Sequence, residues 1–143
     1  MNIDNLQRII NDNLPLDGKN AKTILERVPD NYYFIYVGHL ELKDHETSEV
    51  NRGVPKFGKC QDIPALTRAR TQAGSEWIFD SIILLKDKQT VHECEIFIRK
   101  QLTKMGKISQ KLYHRELFAS NVSRVDAIQL VKNLVETFLL NTK

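Results

Sequence analysis

The chain has no apolar run approaching the roughly 18 residues that a membrane span needs, so no span is expected. Only two cysteines occur among its 143 residues, Cys60 and Cys94. They are far apart and in no metal-type spacing, which argues for a reducing compartment and against a disulfide framework. The segment Met1 to Asn11 lacks the basic-then-apolar order of a secretory leader. The expectation is therefore a soluble domain in a cytoplasmic, intracellular setting. The histidines at 39, 45, 92 and 114 form no ligand spacing on one element, which argues against zinc. No glycine-rich phosphate loop is present, and no Ser-His-Asp or Cys-His arrangement is readable, so no small-molecule cofactor is expected. There is no internal repeat and no low-complexity tract.

What is present has the balance of one folded domain. Hydrophobic residues make up 41% and charged residues 27% of the chain. A domain of this length buries roughly 68–70% of its unfolded surface and needs no disulfide or metal to fold. The formal charge is +3 and the pI about 8.9, which permits nucleic-acid binding without demanding it. The positive charge is concentrated. Lys56, Lys59, Arg68 and Arg70 are close in sequence, and so are Arg99, Lys100, Lys104, Lys107, Lys111, His114 and Arg115. The second group reads either as a solvated helix face or as a surface that tracks phosphates.

Periodicity orders the chain as α-α-β-β-α-β-α-α. Leu6, Ile9, Ile10 and Leu14 recur at helical spacing until Pro15. Asn20 to Arg27 reads as a second short helix. Tyr32 to Leu40 is aromatic and β-branched, hence a strand with Phe34 and Tyr36 on one face and Ile35 and Val37 on the other. Glu41 to Gly53 reads as a long polar loop. Val54 to Cys60 is a second strand, and Asp62 caps a helix with Pro64 in its first turn. Trp77 to Leu85 is almost continuously apolar, as a central strand covered on both faces would be. Asp87 to Met105 is the clearest helix, and Ser123 caps the last one. The pattern predicts an α+β (α/β) fold: a small three-stranded mixed or antiparallel sheet flanked by helices. Residues 1–30 read as a helical appendage to a domain spanning 31–143.

Three positions could carry chemistry. On the helix HECEIFIRKQL, at about 100° per residue, Val91, Cys94, Ile98, Leu102 and Met105 form one stripe. Glu93 falls in water and Glu95 at the stripe's margin, one turn from Arg99. A carboxylate there needs a partner or a metal; an ordinary Glu95–Arg99 pair is the plain alternative. Tyr36 shares a face with Phe34. If the two strands pair, Lys56 comes near it and favours the phenolate, and so proton abstraction from water. An arginine fork from Arg68 or Arg70 matches a phosphate.

These residues together resemble the GIY-YIG nuclease superfamily, in its divergent phage and large-DNA-virus branch. Phe34-Ile35-Tyr36 stands for the GIY motif, Lys56-Phe57-Gly58 for YIG, Arg68 or Arg70 for the helix arginine, and Glu95 for the metal-binding glutamate. The RELF string at Arg115 to Phe118, with Glu116, resembles a late E-x-F, and the resemblance spans about residues 31 to 121. It implies a divalent-metal-dependent DNA endonuclease. Glu95 would hold Mg²⁺ or Mn²⁺ against the phosphate, Tyr36 with Lys56 would activate water, and the arginine would offset transition-state charge. Lys59, Arg99, Lys104, Lys107, Lys111 and Arg115 would bind the nucleic acid. Phe34 stands where the motif has glycine and Lys56 where it has tyrosine, which leaves room for a member that binds without cutting. A third reading is a protein–protein adaptor working through an exposed apolar patch on a terminal helix. The readings separate on geometry: cleavage needs Tyr36, an arginine and Glu95 in one cleft, whereas binding needs only a continuous basic face.

Overall fold

The structure, a computed structural model, describes residues 2–26, 33–43, 50–71, 75–109 and 117–142. Its organising element is strand β2, at Tyr33–Lys43. Alternation sends Phe34 and Tyr36 to one side and Ile35 and Val37 to the other, and all four are essentially without solvent contact. A strand that is apolar on both faces needs a layer on each, and the fold is α+β in that sense. Strand β3 covers Val50–Arg52, β4 Lys56–Cys60 and β5 Ser75–Leu85, while a two-residue β1 lies at Leu16–Asp17. Strand β2 pairs antiparallel with β5 along one edge. Along its other edge it pairs with β4 through Phe34 to Gly38 and with β3 through Glu41 to Lys43. Strand β1 adds to the outer edge of β5.

The expected three strands are therefore the centre of a sheet that has two short strands more. The polar segment read as a loop is partly a hairpin, because Glu41 pairs with Arg52 and Lys43 with Val50. Those strand ends were illegible because period-2 patterning appears only where one face is buried, and Leu42, the apolar residue at the end of β2, is 45% exposed.

Helices α1 (Ile3–Asn13), α2 (Gly18–Leu25) and α3 (Ile63–Arg70) cover the first face. Each begins at a side-chain cap: Asn2, Asp17 and Asp62 accept from the backbone N–H three residues on. Their Leu6, Ile10, Ala21 and Ile63 pack with Phe34, Tyr36, Trp77 and Phe79. The segment expected as an N-terminal appendage thus supplies most of one layer. Gln7 ties it down further, donating to the Ile82 carbonyl at 2.6 Å and accepting from Leu84 N–H at 2.8 Å.

Helices α4 (Lys88–Lys104) and α5 (Arg124–Asn141), capped by Asp87 and Ser123, cover the second face. Val91, Cys94, Ile98, Val131 and Val135 meet Ile35, Val37 and Phe57 there. Met105 leaves the expected stripe: it is the C-cap before Gly106, whose φ is +66°, and it is 47% exposed. Residues beyond it close the outer edge of β4, with Phe118 N–H donating to the Pro55 carbonyl and Ser109 N–H to the Leu117 carbonyl. Among the described residues no helix is long and apolar enough to cross a membrane.

Where β2 pairs with β5, the register shifts between Val37 and Gly38, so that Asp80 is the extra residue of a bulge. It turns toward the buried His39, whose Nδ1 lies 2.6 Å from Asp80 Oδ2 and whose Nε2 lies 3.1 Å from Glu41 Oε1. Arg124, at the start of α5, reaches Asp80 Oδ1 at 3.5 Å. Both ring nitrogens face carboxylates, an arrangement that only the imidazolium satisfies with two donors. Burial pulls the His39 pKa down, but Asp80 and Glu41 outweigh it and hold it above the ordinary 6.5. A raised folded-state pKa contributes stability fully below pH 6.5, and that contribution is lost as pH rises through the raised value. The stability gap between wild type and His39→Gln should therefore narrow with rising pH in denaturant titrations; a gap that stays constant or widens would rule out the imidazolium. Asp80→Ala leaves a buried cation without its closest partner and should cost about 3–5 kcal/mol.

Candidate functional site

Tyr36 lies at the centre of the first face, 1% exposed, with its ring edge-on to Trp77 at 5.7 Å and to Phe79 at 5.8 Å. Its hydroxyl accepts from Arg70 Nη2 at 3.3 Å, and the Arg70 guanidinium stands 5.9 Å over the Trp77 ring. Of the two arginines left open by the sequence, Arg70 is thus the one at Tyr36, half-buried on α3, while Arg68 is exposed. Gly58 is the residue opposite Tyr36 on β4. A Cβ there would lie 2.8 Å from the tyrosine oxygen, so the ring occupies the space that any other residue would need. Lys56 is two residues from Gly58, half-buried, and shares that face by alternation. Tyr36, Arg70 and Lys56 therefore belong to one side of the sheet.

Glu95 belongs to the other. It rides on α4, in the layer over the second face, and is 4% exposed. Its Oε1 is held by Arg99 Nη2, one turn on. Glu93 is exposed and bonds Gln89, as the wheel predicts. The sheet stands between Glu95 and Tyr36, so the structure does not bring the proposed acid, base and arginine into one cleft. A divalent ion such as Mg²⁺ takes several oxygen ligands. At Glu95 the neighbour is a guanidinium, and among the described residues no three His, Cys, Asp or Glu side chains are grouped to hold a metal. An ion held by the Glu95 carboxylate would have to displace Arg99 from it.

The basic residues fall differently. Lys59 points from β4 toward the second face, and its Nζ donates to His92 Nδ1 at 2.7 Å. At about 100° per residue, Lys88, His92 and Arg99 share one flank of α4, alongside Lys59. Lys59, Lys88 and His92 are exposed, and the Arg99 side chain is 36% exposed. Lys100 and Lys104 are exposed on the opposite flank, and Lys107 is half-buried just past the helix. Lys111, His114, Arg115 and Glu116 lie outside the described residues. Phe118 of the RELF string is buried and packs edge-on against Phe57 at 5.5 Å, which is core packing. At the head of the cationic flank is a cleft of about 170 Å³ lined by Tyr33, Lys59, Cys60, Gln61, Lys88 and Val91.

Burial pushes the Cys60 and Cys94 thiols up to about 12, so neither is a nucleophile near neutral pH. Sequence reasoning missed the His39–Asp80–Glu41 cluster and the roles of Tyr33, Gln61 and Lys88 in the cleft. The first had a signal: a lone aspartate in the apolar string WIFDSIILL must find a partner. The second had none, since cleft residues come together only through the packing of α4 on β4.

Comparison of the chain with known protein families, with characterised proteins and with solved structures finds no match in any of the three.

Gly58→Ala should destabilise the fold by about 1–3 kcal/mol, the range for forcing an extra carbon into a packed core. The penalty should shrink in a Tyr36→Phe background, which removes the atom nearest the new Cβ. Denaturant titrations of the four variants test this; additive penalties would show that Tyr36 is not what the glycine accommodates.

Proposed function

We propose that this chain is a nucleic-acid-binding module with a GIY-YIG-like order of strands and helices and without the family's cutting centre. The observation that carries this reading is the flank where α4 meets the edge strand β4: the exposed ammonium groups of Lys59 and Lys88 stand there in a row with His92, which accepts from Lys59, and Arg99, which is paired with Glu95. Such a row can follow a phosphate backbone, binding chiefly by counterion release. Two further observations favour binding over cleavage. Tyr36 is 1% exposed and packed edge-on to Trp77 and Phe79, the setting of a core tyrosine whose hydroxyl is held by Arg70. Glu95 is already neutralised by Arg99.

A second reading, a metal-dependent DNA endonuclease, draws support from the Tyr36–Arg70 contact and from the order of β2, β4, α3 and α4. It requires a carboxylate on the face where Tyr36 lies. An adaptor reading draws on Val125, Leu139 and Leu140, which α5 exposes.

Incubation of supercoiled plasmid with Mg²⁺ or Mn²⁺ should produce no nicking by the wild-type chain, while DNA binding falls steeply with salt. The Lys59→Ala/Lys88→Ala variant should bind more weakly, with a log–log salt slope shallower by roughly 1–2, one for each phosphate no longer neutralised. Nicking by wild type that disappears in Glu95→Gln would replace this reading with the endonuclease. No salt-sensitive binding to any nucleic acid would leave the adaptor.

A further inference from the structure

The cleft at the head of the cationic flank differs in chemistry from the flank itself. Its floor is apolar at the buried Val91, while Cys60, whose side chain belongs to the first-face core, borders it from β4. One wall is the half-buried ring of Tyr33, the first residue of β2, which packs against the second-face core. The rim carries the exposed side chains of Gln61, Lys59 and Lys88. Lys59 is held over the rim by its bond to the exposed His92. We propose that this cleft receives one unpaired base of single-stranded nucleic acid, with the adjoining phosphates on Lys59 and Lys88. The proposal rests on the binding reading above and names the form of nucleic acid that it takes.

The physical case has three parts. An aromatic wall above an apolar floor suits a flat π-face, and stacking on such a wall tolerates any base. The Gln61 amide offers a donor and an acceptor to a base edge. The cleft, at about 170 Å³, has room for a base, and the two ammonium groups on its exposed rim stand where the adjoining phosphates would lie. A duplex can present a base here only after unstacking and unpairing it, at a cost of a few kcal/mol, whereas a single strand has already met that cost. The flank alone would bind both forms; the cleft should discriminate between them.

The test measures affinity of the full chain for a fluorescent oligothymidylate and for a duplex of equal length, at one fixed salt concentration. Tyr33→Ala should weaken single-strand binding roughly tenfold, which is the lower part of the range for one stacked base. It should leave duplex binding within about twofold, since duplex binding is carried by phosphate contacts. Tyr33→Phe keeps the ring and should keep single-strand affinity. Fluorescence of the buried Trp77 serves as the check that both variants are folded. Equal losses on both nucleic acids, or no loss on either, would overturn the cleft assignment while leaving the binding module standing. Failure of the wild-type chain to bind either oligonucleotide would overturn both.

Discussion

Strand β2 has water on neither face between Phe34 and His39, and the arrangement of the rest follows from that. A strand buried on both sides must be sandwiched, and in this chain the helices before and just after the first hairpin cover one side while the last two helices cover the other. Tyr36 and Ile35 are adjacent in sequence but belong to different cores. The same alternation decides the chemistry. A group on the inward side of α3 can meet Tyr36, as Arg70 does, and a group on α4 is kept from it by the thickness of the sheet. In the pairing of β2 with β5, the register shifts at a single extra residue of β5, Asp80. It sets a carboxylate beside His39 in a region otherwise filled by hydrocarbon.

That polar cluster also connects distant parts of the chain. His39 and Asp80 come from the two central strands, and Arg124 opens the last helix. Buried ion pairs recover their desolvation cost only with close geometry and further hydrogen bonds. Here the second imidazole nitrogen finds Glu41, and the second oxygen of Asp80 faces Arg124. The cluster therefore fixes where α5 starts on the second face, a specificity that apolar contacts alone would leave looser.

Much of the architecture was legible because burial imposes a period. The stripe of α4 up to Leu102, the alternation of β2 and the caps at Asp62 and Ser123 were all readable from spacing. The site was legible only in fragments. A helix wheel placed Glu95 at a buried margin, and it is there, whereas the choice between Arg68 and Arg70 needed the structure. No wheel tells which face of the sheet a helix will cover, because that depends on connection geometry rather than on periodicity. Glu95 and Tyr36 could therefore be read as neighbours although the sheet divides them. The arm at Glu41 to Arg52 escaped notice for a related reason: its pairing is made by backbone groups, which are the same for every residue type.

The covering of strand edges has its own consequence. Pro55 and Lys56 on β4 are paired by Leu117 and Phe118, and the side-chain amide of Gln7 takes up the backbone groups of Ile82 and Leu84 on β5. At these stretches the sheet offers no donor–acceptor ladder for another chain to extend. Strand addition there, the usual route to swapped dimers and fibrils, is blocked by one short segment and one glutamine. A variant without either would turn a closed β-surface into a template for self-association.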